Sequence, residues 1–115
     1  MADVTVWFNP RCSKCRTAQA ILQEHGIEAD YVRYLESAPT RAELERVLRL
    51  LGTDDPMSIV RTGEDVWKQL GVDAGNRDAV LDAMVANPIL IERPIVIRGD
   101  RAVVARPAEK VLDLL

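Results

Sequence analysis

The first third of the chain constrains the fold most, because it reads as a strand, a cysteine-bearing loop, a helix and a second strand. Asp3 to Phe8 alternates, with Val4, Val6 and Phe8 on one face and Thr5 and Trp7 on the other, and this predicts a strand. Asn9-Pro10 interrupts it, and a loop carries Arg11 and Cys12. Ala18, Ile21 and Leu22 then recur at helical spacing until His25-Gly26, where glycine can take the left-handed cap. Ala29 to Tyr34, rich in Tyr and Val, predicts a second strand. A strand, a helix and a strand in this order imply a parallel pair with a right-handed crossover, and so an α/β fold.

Within that frame Cys12-Ser13-Lys14-Cys15 is the strongest chemical signal. Placed between a strand and a helix, Cys12 lies where unpaired backbone N–H groups and the helix dipole favour an anion. Arg11, Lys14 and Arg16 add positive charge near it, and all these effects favour thiolate over thiol. A thiolate is the nucleophile both in disulfide exchange and in attack on an electrophilic oxyanion centre. The same loop can hold an oxyanion, since its N–H groups converge. The bland alternative is that the two cysteines are merely small helix residues, but the strand–loop–helix context matches a redox motif. Two cysteines and the lone His25 cannot supply the four protein ligands of a closed structural zinc site, so no metal is expected. His25 suits a helix C-terminus instead.

The middle of the chain reads as helical. Thr40-Arg41-Ala42-Glu43 has capping-box spacing, and Leu44, Val47, Leu48 and Leu51 form an apolar stripe before Gly52. Met57 to Val60 predicts a short turn of helix, and Glu64 to Leu70 another that ends at Gly71. Asn76 can cap a further helix that buries Val80, Leu81, Met84 and Val85 and stops at Asn87-Pro88. Ile95 to Arg98 and Arg101 to Ala105 flank Gly99-Asp100 as a hairpin. Pro107 suits the first position of a closing helix with Val111, Leu112 and Leu115 apolar.

With 115 residues, 48% of them apolar, the chain is expected to form one domain, 1–115, whose core needs neither disulfide nor metal. A net charge of −3 gives no reason to expect nucleic acid or an anionic membrane as partner. The start, Met1-Ala2-Asp3, shows no basic region followed by an apolar stretch, and no apolar run approaches a membrane span. With two cysteines three positions apart, a cytoplasmic location is expected.

Three arginines have no obvious packing role. Arg61 follows Ser58-Ile59-Val60, Arg93 precedes Pro94, and Arg106 precedes Pro107. Composition alone leaves each as readily a solvated surface charge, and cannot show that they meet in space.

From Val4 to Leu115 the sequence resembles the glutaredoxin-coupled arsenate reductases. The resemblance rests on Asn9-Pro10-Arg11-Cys12-Ser13-Lys14, on Tyr34-Leu35-Glu36 with Pro39-Thr40-Arg41 and Glu43-Leu44, on Pro88 through Val96 with its Ile-Glu-Arg-Pro core, and on Arg106-Pro107. It implies a thioredoxin-like mixed sheet in the order βαβ…ββα, with a helical lobe inserted at about 36–87. It also implies Cys12 as nucleophile, Arg61, Arg93 and Arg106 around the bound arsenate, and Pro94 as a cis-proline. Fixed guanidinium groups suit such a multivalent oxyanion. The implied reaction is reduction of arsenate to arsenite, an arsenic-detoxifying step. Glutathione is then a co-substrate, glutaredoxin (or thioredoxin) a partner, and no bound cofactor is expected.

Phe8 stands where some members carry a histidine, so thiolate formation must rest on the arginines and the helix terminus. Cys15 stands where many members carry serine, which makes it a possible resolving thiol. Two further readings stay open. One is a thiol–disulfide oxidoreductase that uses the Cys12–Cys15 pair. The other is a non-enzymatic redox-sensing regulator of the same superfamily.

Overall fold

The computed structural model describes residues 3–115, so Met1 and Ala2, on which part of the reading of the N-terminus rests, lie outside the described residues. By its internal contacts the chain divides into two compact units. The first comprises the residues up to Ser37 together with Arg93–Leu115, and the second is Ala38–Glu92.

The first unit is an α/β layer. It contains β1 (Val4–Trp7), α1 (Ser13–Glu24), β2 (Ala29–Val32), β3 (Ile95–Arg98), β4 (Arg101–Val104) and a closing 3₁₀ helix, Ala108–Leu114. The mixed sheet expected from the sequence is present, in the order β2-β1-β3-β4. β1 pairs parallel with β2 and antiparallel with β3, and β3 and β4 form the hairpin across Gly99-Asp100. Gly99 has φ 60°, the left-handed geometry this tight turn requires.

Register fixes which segments share an end of the sheet. Trp7 lies opposite both Val32 and Ile95, and Ile95 lies opposite Val104. The exits of β1, β2 and β4 and the entry to β3 therefore fall at one end. On one face Val4, Val6 and Val96 pack with Cys15, Ala18 and Leu22 of α1 and with Ala108, Val111 and Leu114. Trp7, Ile95 and Ile97 on the opposite face are buried as well. β1 and β2 are shorter than expected, because Phe8 and the residues after Val32 leave the ladder. β4 likewise ends at Val104, before Ala105.

The closing helix departs most from expectation. It is 3₁₀ rather than α, and Pro107 is its N-cap rather than its first residue. A 3₁₀ helix repeats every three residues. The buried stripe is accordingly Ala108, Val111 and Leu114, while Leu112 and Leu115 are more than 40% exposed.

The second unit is helical: α2 (Arg41–Leu51), a 3₁₀ turn Pro56–Ile59, α3 (Asp65–Leu70), α4 (Arg77–Ala86) and a 3₁₀ turn Pro88–Leu90. The capping box forms as the sequence predicts: Glu43 N donates to Thr40 Oγ1 at 3.2 Å, and Thr40 N donates to Glu43 Oε1 at 3.1 Å. Asn76 caps α4 through a bond from Ala79 N at 3.1 Å. Leu44, Val47 and Leu48 of α2 are buried, as are Val80, Leu81 and Met84 of α4, whereas Val85 is only half-buried and Ala83 points inward instead. Arg41 pairs with Asp78 and Asp82, and Arg77 with Glu45, joining α2 to α4 on the surface. This unit runs to Glu92, past Asn87, because backbone bonds tie its last residues to the first 3₁₀ turn. Arg61 N donates to Leu90 O at 2.7 Å and Glu92 N to Ile59 O at 2.8 Å.

Among the described residues no helix is long and apolar enough to cross a membrane.

Candidate active site

The loop after β1 is held by Asn9, the one largely buried polar residue of the described chain. Its Oδ1 accepts from Arg11 N at 3.0 Å and its carbonyl accepts from Cys12 N at 3.0 Å. These two hydrogen bonds to one asparagine turn the chain and set Cys12 at the N-cap of α1, in extended geometry (φ −88°, ψ 123°). The cysteine carbonyl starts the helix by accepting from Arg16 N at 3.1 Å. Its sulfur makes no hydrogen bond close enough to be a full cap, although the Lys14 and Cys15 amides in the first turn lie near enough to act on it. Cys15 lies one turn in and is fully buried; both cysteines are free thiols.

The two thiols differ in acidity. Burial opposes the Cys12 thiolate, but donation from the Cys15 amide and thiol, the Lys14 amide and the Arg93 guanidinium outweighs it. The net result is a pKa below that of an ordinary thiol. Burial pushes Cys15 up to about 11; the Asn9 amide opposes this, and the neighbouring Cys12 adds to it. The pair is thus a more acidic thiol beside a less acidic one. Charge reaches Cys12 differently from the sequence expectation. Arg11, Lys14 and Arg16 are exposed, Lys14 acts through its amide, and the cation that matters is Arg93.

Arg93 and Arg106 come together at the same end of the sheet. Arg93 immediately precedes β3, Arg106 lies just past β4, and both are followed by cis peptide bonds, Arg93-Pro94 and Arg106-Pro107. The cis-proline expected at Pro94 is present, and the second at Pro107 is additional. Arg106 Nε donates to Arg93 O at 2.7 Å, and Ala105 N to Pro94 O at 2.9 Å, so the two segments fix one another. The Arg93 side chain is less satisfied. Its Nε and Nη1 are buried with no hydrogen-bond partner. Two buried donors of a charged group left unpaired are costly unless an acceptor arrives.

Arg61 belongs to the helical unit, where its Nη1 lies 2.7 Å from Glu64 Oε1. His25 Nδ1 lies 2.9 Å from the Ile21 carbonyl, the helix-end role expected of it. Phe8 is buried and meets Tyr31 edge-on, with ring centroids 5.3 Å apart. No group of three or more His, Cys, Asp or Glu among the described residues could hold a metal ion.

One residue of this site was not singled out from the sequence as chemical. Tyr34, two positions past β2, is fully buried and its hydroxyl has no hydrogen-bond partner. Burial raises its pKa to about 12; Arg93, as a nearby charge and a donor toward the phenol oxygen, opposes this, and the sulfurs of Cys15 and Cys12 add to it, while the hydroxyl proton itself has no acceptor. The only available signal was positional. A tyrosine just beyond a strand parallel to β1 must leave the sheet on the side of the cysteine loop.

A mixed four-stranded sheet with a cysteine of lowered pKa at the N-cap of its first helix, beside a cis-proline segment, defines a thioredoxin-like fold. Residues 7–114 match the ArsC family, and the chain belongs to that family. It is 40% identical to an arsenate reductase of Neisseria meningitidis serogroup A, with both chains covered completely. It is 33% identical to an arsenate reductase of Escherichia coli, covering all of this chain and 82% of the other. The solved arsenate reductase from Vibrio cholerae superposes with a TM-score of 0.92 at 38% identity, over 97% of each chain.

Proposed function

We propose that this chain reduces arsenate to arsenite, with Cys12 as nucleophile and glutathione and glutaredoxin as reductant. The observation that carries the reading is the pairing of a low-pKa Cys12 with the two unpartnered, buried nitrogens of Arg93. A thiolate needs an electrophile, and unpaired guanidinium donors need an acceptor with several oxygens. Arsenate is both. Arginines 93 and 106 hold the oxyanion in this reading, and Arg61 enters it only through the resemblance to the family.

The Cys12 thiolate attacks arsenic, an As–O bond breaks, and the departing oxygen takes up protons and leaves as water. The resulting Cys12–arsenic(V) adduct is attacked at sulfur by glutathione. An S–S bond forms, the S–As electron pair passes to arsenic, and arsenite departs. Glutaredoxin with a second glutathione returns Cys12 to the thiol. Two thiols supply the two electrons, so the sum is arsenate plus two glutathiones giving arsenite, glutathione disulfide and water.

Burial of Cys15 beside Cys12 supports a second route, in which Cys15 attacks the adduct and an internal disulfide forms. Its retained proton makes it the poorer nucleophile, which favours glutathione. Arsenite formation should be measured with glutathione–glutaredoxin and with thioredoxin, in wild type and Cys15→Ser. Near-full activity of Cys15→Ser with glutaredoxin is the expected result. Loss of that activity, with wild type driven by thioredoxin alone, would make Cys15 the resolving thiol.

A further inference from the structure

We propose that Tyr34 is an oxyanion-binding residue of this site, its hydroxyl donating to an oxygen of the tetrahedral anion that Arg93 holds against Cys12. The inference rests on the oxyanion reading above and adds a neutral donor to it. Strand register brings the relevant segments together. The exit of β1 leads to the Cys12 loop, the exit of β2 to Tyr34, and the entry to β3 comes from Arg93, all at one end of the sheet. Ligands of open α/β sheets bind outside such strand ends.

At that end three donors lack partners: the Tyr34 hydroxyl and Arg93 Nε and Nη1. Each is buried, and an unpaired buried donor is destabilising unless something accepts from it. One tetrahedral oxyanion has enough lone pairs to satisfy all of them. The phenol keeps its proton through the physiological range, so it remains a donor whatever the charge on the anion.

Tyr31 provides the contrast. Its hydroxyl is also buried and unpartnered, but it sits within β2 opposite Val6, and its ring packs on Phe8. Burial alone raises its pKa, with no arginine or cysteine acting on it. Tyr34 is the tyrosine that shares an environment with the reactive sulfur.

The test is Tyr34→Phe, read by the arsenate concentration that half-protects Cys12 from iodoacetamide in reduced protein. Three results are expected together. The melting temperature should equal or exceed that of wild type, because an unsatisfied hydroxyl is removed. The pH profile of Cys12 alkylation should be unchanged. The half-protecting arsenate concentration should rise about tenfold or more, as loss of a hydrogen bond to a charged group implies. Protection at the wild-type concentration would overturn the role of Tyr34 and leave the oxyanion reading intact. A lowered melting temperature with a shifted Cys12 profile would show a structural bond in place of the proposed one. Wild type that arsenate does not protect would remove the oxyanion reading and this inference with it. Should Tyr34→Phe not fold, the Tyr34 ¹³Cζ resonance of wild type, assigned with Tyr31→Phe, should move on arsenate saturation, and a stationary resonance would overturn the proposal.

Discussion

At the scale of single residues, the site is a contrast between groups that are satisfied and groups that are not. Cys12 is made more acidic by N–H groups and Arg93, while Cys15, one turn away, is kept a thiol by burial. Iodoacetamide labelling followed by peptide mass spectrometry should therefore show Cys12 half-reactive at a lower pH than an ordinary thiol. Cys15 should react only as the pH approaches about 11. Labelling of Cys15 first at neutral pH would reverse the assignment. The two arginines should also separate. Removing Arg93 takes away two buried nitrogens that have no partner and leaves its carbonyl to Arg106, so Arg93→Ala should melt near wild type while Cys12 alkylation shifts to higher pH as the guanidinium's donation to the sulfur is lost. It should still weaken arsenate protection of Cys12 more than tenfold, since each charge-assisted bond contributes ~1.5–3 kcal/mol. Arg106→Ala loses the 2.7 Å bond to the Arg93 carbonyl and should lower stability by about 1 kcal/mol as well as weaken binding. Identical melting and identical protection in both variants would take them out of the site. The pre-proline positions of both arginines were legible in the sequence. Tyr34 was not, because a tyrosine beyond a strand looks the same whether its hydroxyl meets water or a buried anion.

At the scale of elements, local chemistry carried the reading wherever a single residue type decides the geometry. The Thr40 box, the Asn76 cap, and Gly52 and Gly71 in the left-handed region bound helices where the pattern placed them. Pattern decides less where two periodicities compete over a short span. Val111, Leu112 and Leu115 fit an α-helical stripe, but the chain closes in 3₁₀ geometry, and its period of three selects Ala108, Val111 and Leu114. Truncation distinguishes the two. Leu114→Ala should cost about 2 kcal/mol or more, and Leu112→Ala should stay within about 0.5 kcal/mol of wild type in urea unfolding. Equal losses would mean that this segment packs as an α-helix. The strand ends differ for a related reason: alternation continues through Phe8, and strand-forming composition through Tyr34, although the ladder stops at Trp7 and Val32.

At the scale of the whole molecule, two compact units carry the described residues, and each has its own logic. In the first, pairing across distant stretches of sequence gathers Cys12, Tyr34, Arg93 and Arg106 at one end of a sheet. That gathering could not be derived from composition or spacing, and before the structure it was implied only for the residues that family resemblance covers. In the second, surface ion pairs between α2 and α4 join helices that the sequence predicted singly. The claim that unites the fold with the chemistry is that the sulfur at the N-cap of α1 is where arsenate is reduced. Its most direct test is the initial rate of arsenite formation from arsenate, with glutathione and glutaredoxin in excess, for wild type and Cys12→Ser at matched folded concentration. Arsenate-dependent turnover in wild type and none above the protein-free background in Cys12→Ser is the expected result. No turnover in wild type, or equal turnover in both, would contradict it.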